Sequence, residues 1–105
     1  MGNVHMKDKK ITILEYDEDN KFVPKYENIW AYYRQASGQE IFLAGQTQAQ
    51  IEVVFEINWK PDLDTSMIIT YKDQDYNITR IDDFEGGKND LKIYARKYRY
   101  RQVKE

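Results

Sequence analysis

Histidine occurs once, at position 5, ahead of any strand-like segment, and cysteine does not occur at all. Histidine acid–base chemistry, thiolate nucleophiles, disulfides and thiolate zinc sites therefore have nothing to work with. His5 reads as a solvated terminal residue. The remaining reactive groups are carboxylates, which come in clusters: Asp17-Glu18-Asp19, Asp62 with Asp64, Asp73 with Asp75, and Asp82-Asp83. Clusters of this kind suit a hard cation, but none has the spacing of an EF-hand or a two-metal site. All lie among turn residues, where acids are ordinarily solvated. No glycine-rich phosphate loop, nucleophile elbow or metalloprotease motif is present. The residues argue against an enzyme, a bound metal and a cofactor.

The segment Arg96-Lys97-Tyr98-Arg99-Tyr100-Arg101 interleaves cations with aromatics, the pattern of a surface for single-stranded nucleic acid. It equally describes a strand end whose long side chains cover their own apolar edge and deter edge-to-edge pairing. Charge is segregated around it. Asp62 to Asp90 holds eight acids and three bases, and Leu91 to Glu105 holds six bases and one acid, although the whole chain is only −2. Opposite charges on copies of one small domain can join them head to tail; the basic end can also pair with the acidic loops of its own domain.

These groups must be positioned by a single small domain, since 105 residues leave no room for a second. Residues 1–8 are expected to fray and 96–105 to form a basic end. The longest apolar runs, Ile29 to Tyr33 and Ile41 to Ala44, are far short of a membrane span or a signal sequence, so the chain is expected to stay in the cytoplasm where it is made. The clearest periodicity is Ile51, Val53, Phe55, Ile57 and Trp59 on one parity, with Glu52, Val54, Glu56, Asn58 and Lys60 on the other. That predicts a half-buried strand, ended at Pro61, which has no backbone donor.

Met67, Ile69 and Tyr71 alternate again, and Lys72-Asp73-Gln74-Asp75 separates them from Tyr76-Asn77-Ile78, a tight antiparallel hairpin. Ile81 is out of phase with Ile78, which predicts a bulge near Thr79-Arg80. Leu91, Ile93 and Ala95 make a last strand beyond the turn-rich stretch 82–90. Near the start, Ile11-Thr12-Ile13-Leu14 and Ile29-Trp30-Ala31-Tyr32-Tyr33 read as strands around an acidic loop, 15–20. Ser37-Gly38-Gln39-Glu40 is a capping box opening a short helix through Ala44, ended by Gly45. About six antiparallel strands with one inserted helix predict a mainly β protein, a small β-barrel. Trp59 is expected to close the core, and Trp30 to do the same or to sit at a contact.

The order of these segments resembles the phage head-tail joining family, the head-tail adaptor or head-closure (stopper) proteins. The likeness rests on Ile11-Thr12-Ile13, Ile29-Trp30-Ala31, Ser37-Gly38-Gln39-Glu40, the strand ending at Trp59, and Met67-Ile68-Ile69. It continues in Tyr71-Lys72-Asp73-Gln74-Asp75-Tyr76-Asn77-Ile78 and in Asp82 before the Leu91 to Ala95 strand. It spans roughly residues 9 to 96. The family often has an aspartate-glycine-basic turn in its hairpin where this chain has Asp73-Gln74, and a basic residue where it has Gln39.

The resemblance implies a structural role at the virion neck: a ring, typically dodecameric, that closes the DNA channel after packaging and joins head to tail. Its implied partners are itself, a portal-bound adaptor and a tail terminator or tail-completion protein, with transient passage of double-stranded DNA and no membrane. Gln46, Thr47, Gln48, Ala49 and Gln50 are the candidates for the channel lining, because a neutral polar surface neither holds nor repels phosphates; the same residues also suit an ordinary polar loop. Asp82, Asp83 and Glu85 with Arg96, Lys97, Arg99 and Arg101 are the candidates for docking between subunits or to the neck. Two other functions fit the residues: a single-stranded nucleic-acid-binding barrel and a tail-completion protein.

Overall fold

A computed structural model describes residues 6–38, 52–83 and 89–98. Six antiparallel strands, β1 (Lys9–Tyr16), β2 (Phe22–Gln35), β3 (Val53–Asn58), β4 (Ile68–Tyr71), β5 (Gln74–Asp82) and β6 (Asp90–Lys97), close into a barrel in the order β1-β2-β3-β6-β5-β4. Among the described residues only Gly38 has helical backbone; the rest of the expected helix, Gln39 to Ala44, lies outside them.

Alternation decides what fills the barrel. Ile11 and Ile13 of β1, Ala31 of β2, Val53, Phe55 and Ile57 of β3, Ile69 of β4, Ile78 of β5 and Leu91, Ile93 and Ala95 of β6 form one buried cluster. The predicted phase of β3 is thus correct for its inward residues. Its outward residues differ from expectation, because Val54 is fully buried and Glu56 is only 3% exposed. Val54 packs with Tyr94 and Ala36 in a second, external cluster, and Glu56 lies in the ladder between Tyr32 and Lys92. This strand is therefore covered on both faces.

β3 and β4 are not neighbours in the barrel, so residues 59–67 must cross its end. Met67 is buried there and Trp59 and Leu63 pack against the core, which stoppers that end with apolar side chains. Trp59 performs the role expected of it. Of the two places expected for Trp30, exposure of 52% excludes the core. β2 directs Ala31 and Tyr33 inward, so Trp30, one residue before Ala31 and on the other parity, points out, and Lys10 Nζ sits 4.8 Å from its ring centre.

β2 is much longer than the predicted five residues. It begins at Phe22 and accommodates two irregularities against β1, one between the Ile11–Ile29 and Ile13–Tyr26 pairs and one between Ile13–Tyr26 and Leu14–Pro24. Asn28, at φ 57°, lies in the first of them, a conformation that asparagine tolerates better than most residues. The expected bulge in β5 is present, as a register shift between Ile78 and Arg80. The β4–β5 loop is shorter than expected. Tyr71 pairs with Gln74, leaving Lys72 and Asp73 alone in the turn, at φ 50° and 63°. Two left-handed residues make the turn whose twist matches that of the strands, which is how the chain turns here without glycine.

Candidate assembly surfaces

With its interior packed by side chains, the barrel offers its ends and outer faces for function. The charged residues singled out for docking are kept apart by the β5–β6 pairing. Tyr76 stands opposite Lys97, while Asp82 stands opposite Lys92. Six residues of strand, roughly 20 Å at about 3.3 Å each, therefore separate Asp82 from the level of Lys97. Asp82 accepts from Arg80 Nε at 3.2 Å, so its cationic partner comes from its own strand. Asp83 follows β5, and its Oδ1 is shielded from solvent with no hydrogen-bond partner among the described residues. At the other end the Lys97 amide donates to Glu52 Oε1 at 2.8 Å, and Arg96 pairs with Asn77. The candidate acids Asp82 and Asp83 and the candidate bases Arg96 and Lys97 are thus at opposite ends of one strand pair. Glu85, Arg99, Arg101 and the whole segment 46–50 lie outside the described residues.

Tyr98, in the cation–aromatic segment, donates its amide to the Asp75 carbonyl at 2.8 Å. Its ring meets the edge of Phe22, with centroids 6.4 Å apart, and Phe22 stacks on Tyr16 at 4.0 Å. The β1–β2 hairpin and the end of β6 therefore meet outside the barrel. Ile68, which pairs with Leu14 and faces outward on β4, is buried.

Sequence reasoning missed two features. The first is an open concavity of about 350 Å³ lined by Tyr33, Tyr71, Lys72, Gln74, Tyr76 and Lys97. The buried Phe55 packs against three of these residues, with ring centroids 5.3 Å from Tyr33, 6.0 Å from Tyr71 and 5.4 Å from Tyr76. Burial, and then a hydrogen bond with Tyr33, push the Tyr76 hydroxyl up to about 12. The available signal was three tyrosines at strand ends, Tyr33, Tyr71 and Tyr76, but only the closed topology puts those ends together.

The second is a polar knot across the bulged part of β2. Lys25 Nζ reaches Glu15 Oε1 at 3.3 Å and Asp62 Oδ2 at 3.1 Å, and the Tyr26 hydroxyl donates to Asp62 Oδ1 at 2.7 Å. Lys60 Nζ lies 5.3 Å from the centre of the Tyr26 ring. The Tyr26 hydroxyl, and after it Lys25, hold the Asp62 carboxyl below its ordinary value. Asp62 in turn raises both Lys25 and Tyr26. The knot ties the loop that crosses the barrel end to the hairpin. Asp64, which accepts from the Ser66 hydroxyl and amide and is lowered by both, shapes the same loop. Among the described residues no group of acids and histidines is arranged to hold a metal ion, and no helix is long and apolar enough to cross a membrane.

The fold is similar to the solution structure of protein SF1141 from Shigella flexneri 2a. The TM-score is 0.64 at 20% identity, and the match covers 91% of this chain and 96% of that one. No curated protein sequence matches the chain. The family model for phage head completion protein matches residues 7–98. That span takes in all six strands, the apolar stopper and the tyrosine-lined mouth. The chain therefore belongs to the phage head completion protein family and takes a structural part in completing the phage head.

Proposed function

We propose that the chain forms a ring at the phage neck, below the portal and its adaptor, that closes the DNA channel after packaging and offers a docking surface to the tail. The observation that carries the reading is the family match across the entire barrel. The separation of Asp82 from Lys97 along β5–β6 supports it, because candidate contact residues at opposite ends of one strand pair suit heterologous contacts, which can close into rings. The reading assigns the chain no catalytic step. Segment 46–50 would face the DNA, and Asp82, Asp83 and Glu85 would face Arg96, Lys97, Arg99 and Arg101 of neighbouring subunits or neck proteins.

Cross-linking mass spectrometry on purified particles tests the placement. Cross-links from this chain to itself, to a portal-bound adaptor and to a tail protein are expected. Absence from particles, with recovery on single-stranded DNA, would overturn the reading in favour of a nucleic-acid-binding barrel. The packing of Tyr98 against Phe22 speaks against that alternative, because it engages an aromatic that a base-stacking platform would need.

A further inference from the structure

The β1–β2 hairpin carries two opposite and complementary patches. Lys10 and Trp30 pair across the hairpin, both exposed. Lys10 lies over the indole and has no acidic partner among the described residues. At the tip, Asp17 Oδ1 accepts the Asp19 and Lys21 amides at 2.8 and 3.0 Å, so its carboxylate is occupied in shaping the turn. Glu18 and Asp19 are left exposed, also with no cationic partner among the described residues. Beside them Tyr16, 50% exposed, stacks on Phe22. One patch is therefore basic and aromatic and the other acidic and aromatic. Lys10 and Tyr16 share a face of β1 six residues apart, roughly 20 Å, so the two patches of one chain do not reach each other. Between them the same hairpin exposes Glu27, which repels a wrongly seated acidic tip.

We propose that the acidic tip of one copy, Tyr16 to Asp19, docks on the Lys10–Trp30 patch of a second copy. Tryptophan and tyrosine are the residues on which interface energy concentrates, and the charges fix polarity and register. The contact deepens the ring reading and rests on it for repetition from copy to copy, while the pairwise contact is testable without particles.

The absence of native cysteine allows a clean trap. Lys21→Cys marks the tip and Thr12→Cys marks the receiving face. Under mild oxidation, a mixture of the two chains is expected to give mixed disulfide dimers in excess of the random proportion. Adding Lys10→Glu to the Thr12→Cys chain lowers the mixed product about tenfold, corresponding to ~1.4 kcal/mol. Adding Glu18→Lys and Asp19→Lys to the tip chain then restores it. Salt near 1 M, where screening acts within about 3 Å, suppresses the product in the unreversed pair.

A random proportion, or a mixed product indifferent to Lys10→Glu, overturns the contact. So does a random proportion combined with binding of a labelled single-stranded oligonucleotide at Trp30, which would assign the patch to nucleic acid. Charge-dependent trapping together with absence of the chain from particle necks removes the ring reading and leaves the contact standing. A ring seen in particles without trapping does the reverse.

Discussion

Replacing Asp73 by glycine should stabilise the protein, and the expected size follows from the turn. Tyr71 and Gln74 pair, so Lys72 and Asp73 are the whole connection, at φ 50° and 63°. A left-handed residue with a Cβ costs roughly 1–2 kcal/mol, and aspartate sits at the low end because its short side chain bonds locally. Glycine removes that cost but loses more freedom on folding, about 0.5–1 kcal/mol. The net is a gain of up to about 0.5 kcal/mol, or an increase of up to about 2–4 °C in Tm for a domain of this size. Asp73→Val, β-branched and unable to bond locally, should instead cost about 1–2 kcal/mol. Lys72→Asn should be nearly neutral, because relief of strain is offset by loss of the cation held 5.6 Å from the Tyr71 ring centre, worth about 0.5–1 kcal/mol. Urea denaturation with a common m-value gives the ranking directly. If residues 72–75 formed a relaxed four-residue loop, Asp73→Gly would only add unfolded-state entropy and lower stability. A Tm below wild type with m unchanged would refute the strained turn.

Three other outcomes can be measured. Phe55→Ala should cost about 3–5 kcal/mol, since the ring is fully buried beneath Tyr33, Tyr71 and Tyr76; retention of wild-type stability in urea would contradict the packed interior. Asp62 has a depressed folded-state pKa, so its contribution is present above its ordinary value of 3.8 and is lost as pH falls through the depressed one, whereas raised Lys25 and Tyr26 contribute below 10.5 and 10.0 and lose that contribution as pH rises. Asp62→Asn should flatten both limbs of the stability–pH curve, and unaltered slopes would show that the knot is not coupled to folding. In the phage, replacing Gln46 and Gln48 by lysine should slow DNA release or impair closure without unfolding the domain; unchanged infectivity and DNA retention would remove that segment from the channel.

Elements whose signal is local were legible in the sequence. The parity of Val53, Phe55 and Ile57 needs only a two-residue period, and the slip between Ile78 and Ile81 announced its bulge. What escaped depends on parts of the chain that are distant in sequence. The first half of β2 contains Pro24, Glu27 and Asn28, poor strand formers, and is held in the sheet by pairing to β1 around two irregularities. Outward Val54 and Glu56 looked solvated because a period reports one face and says nothing of what lies over the other. Residue type left Trp30 between the core and a contact, and the register decides against the core, because Ala31 and Tyr33 take the inward positions. The Lys25–Asp62–Tyr26 knot joins residues 36 apart, and only the crossing of the barrel end by residues 59–67 brings them together. The charge segregation was legible as numbers, but its geometry, with Asp82 and Lys97 at opposite ends of a strand pair, required the register.

That register also limits how copies associate. Among the described residues β2 pairs with β3 only from Ala31 to Gln35, and its first half is paired on one side alone, by β1. An open edge invites strand addition by another chain. Here Pro24 removes a donor, and the irregularities around Lys25 and around Glu27–Asn28 break the even spacing that an added strand would need. The route left to this hairpin is contact through side chains, which is reversible and sensitive to salt, whereas an added strand would be held by backbone hydrogen bonds. The two routes separate in hydrogen exchange. On concentration into the associating range, the amides of Val23 and of Lys25 to Ile29 should keep their exchange rates, while indole fluorescence changes as Trp30 is covered. New protection of those amides without a fluorescence change would mean that copies add strands to each other, and the Lys10–Trp30 patch would then have no part in joining them.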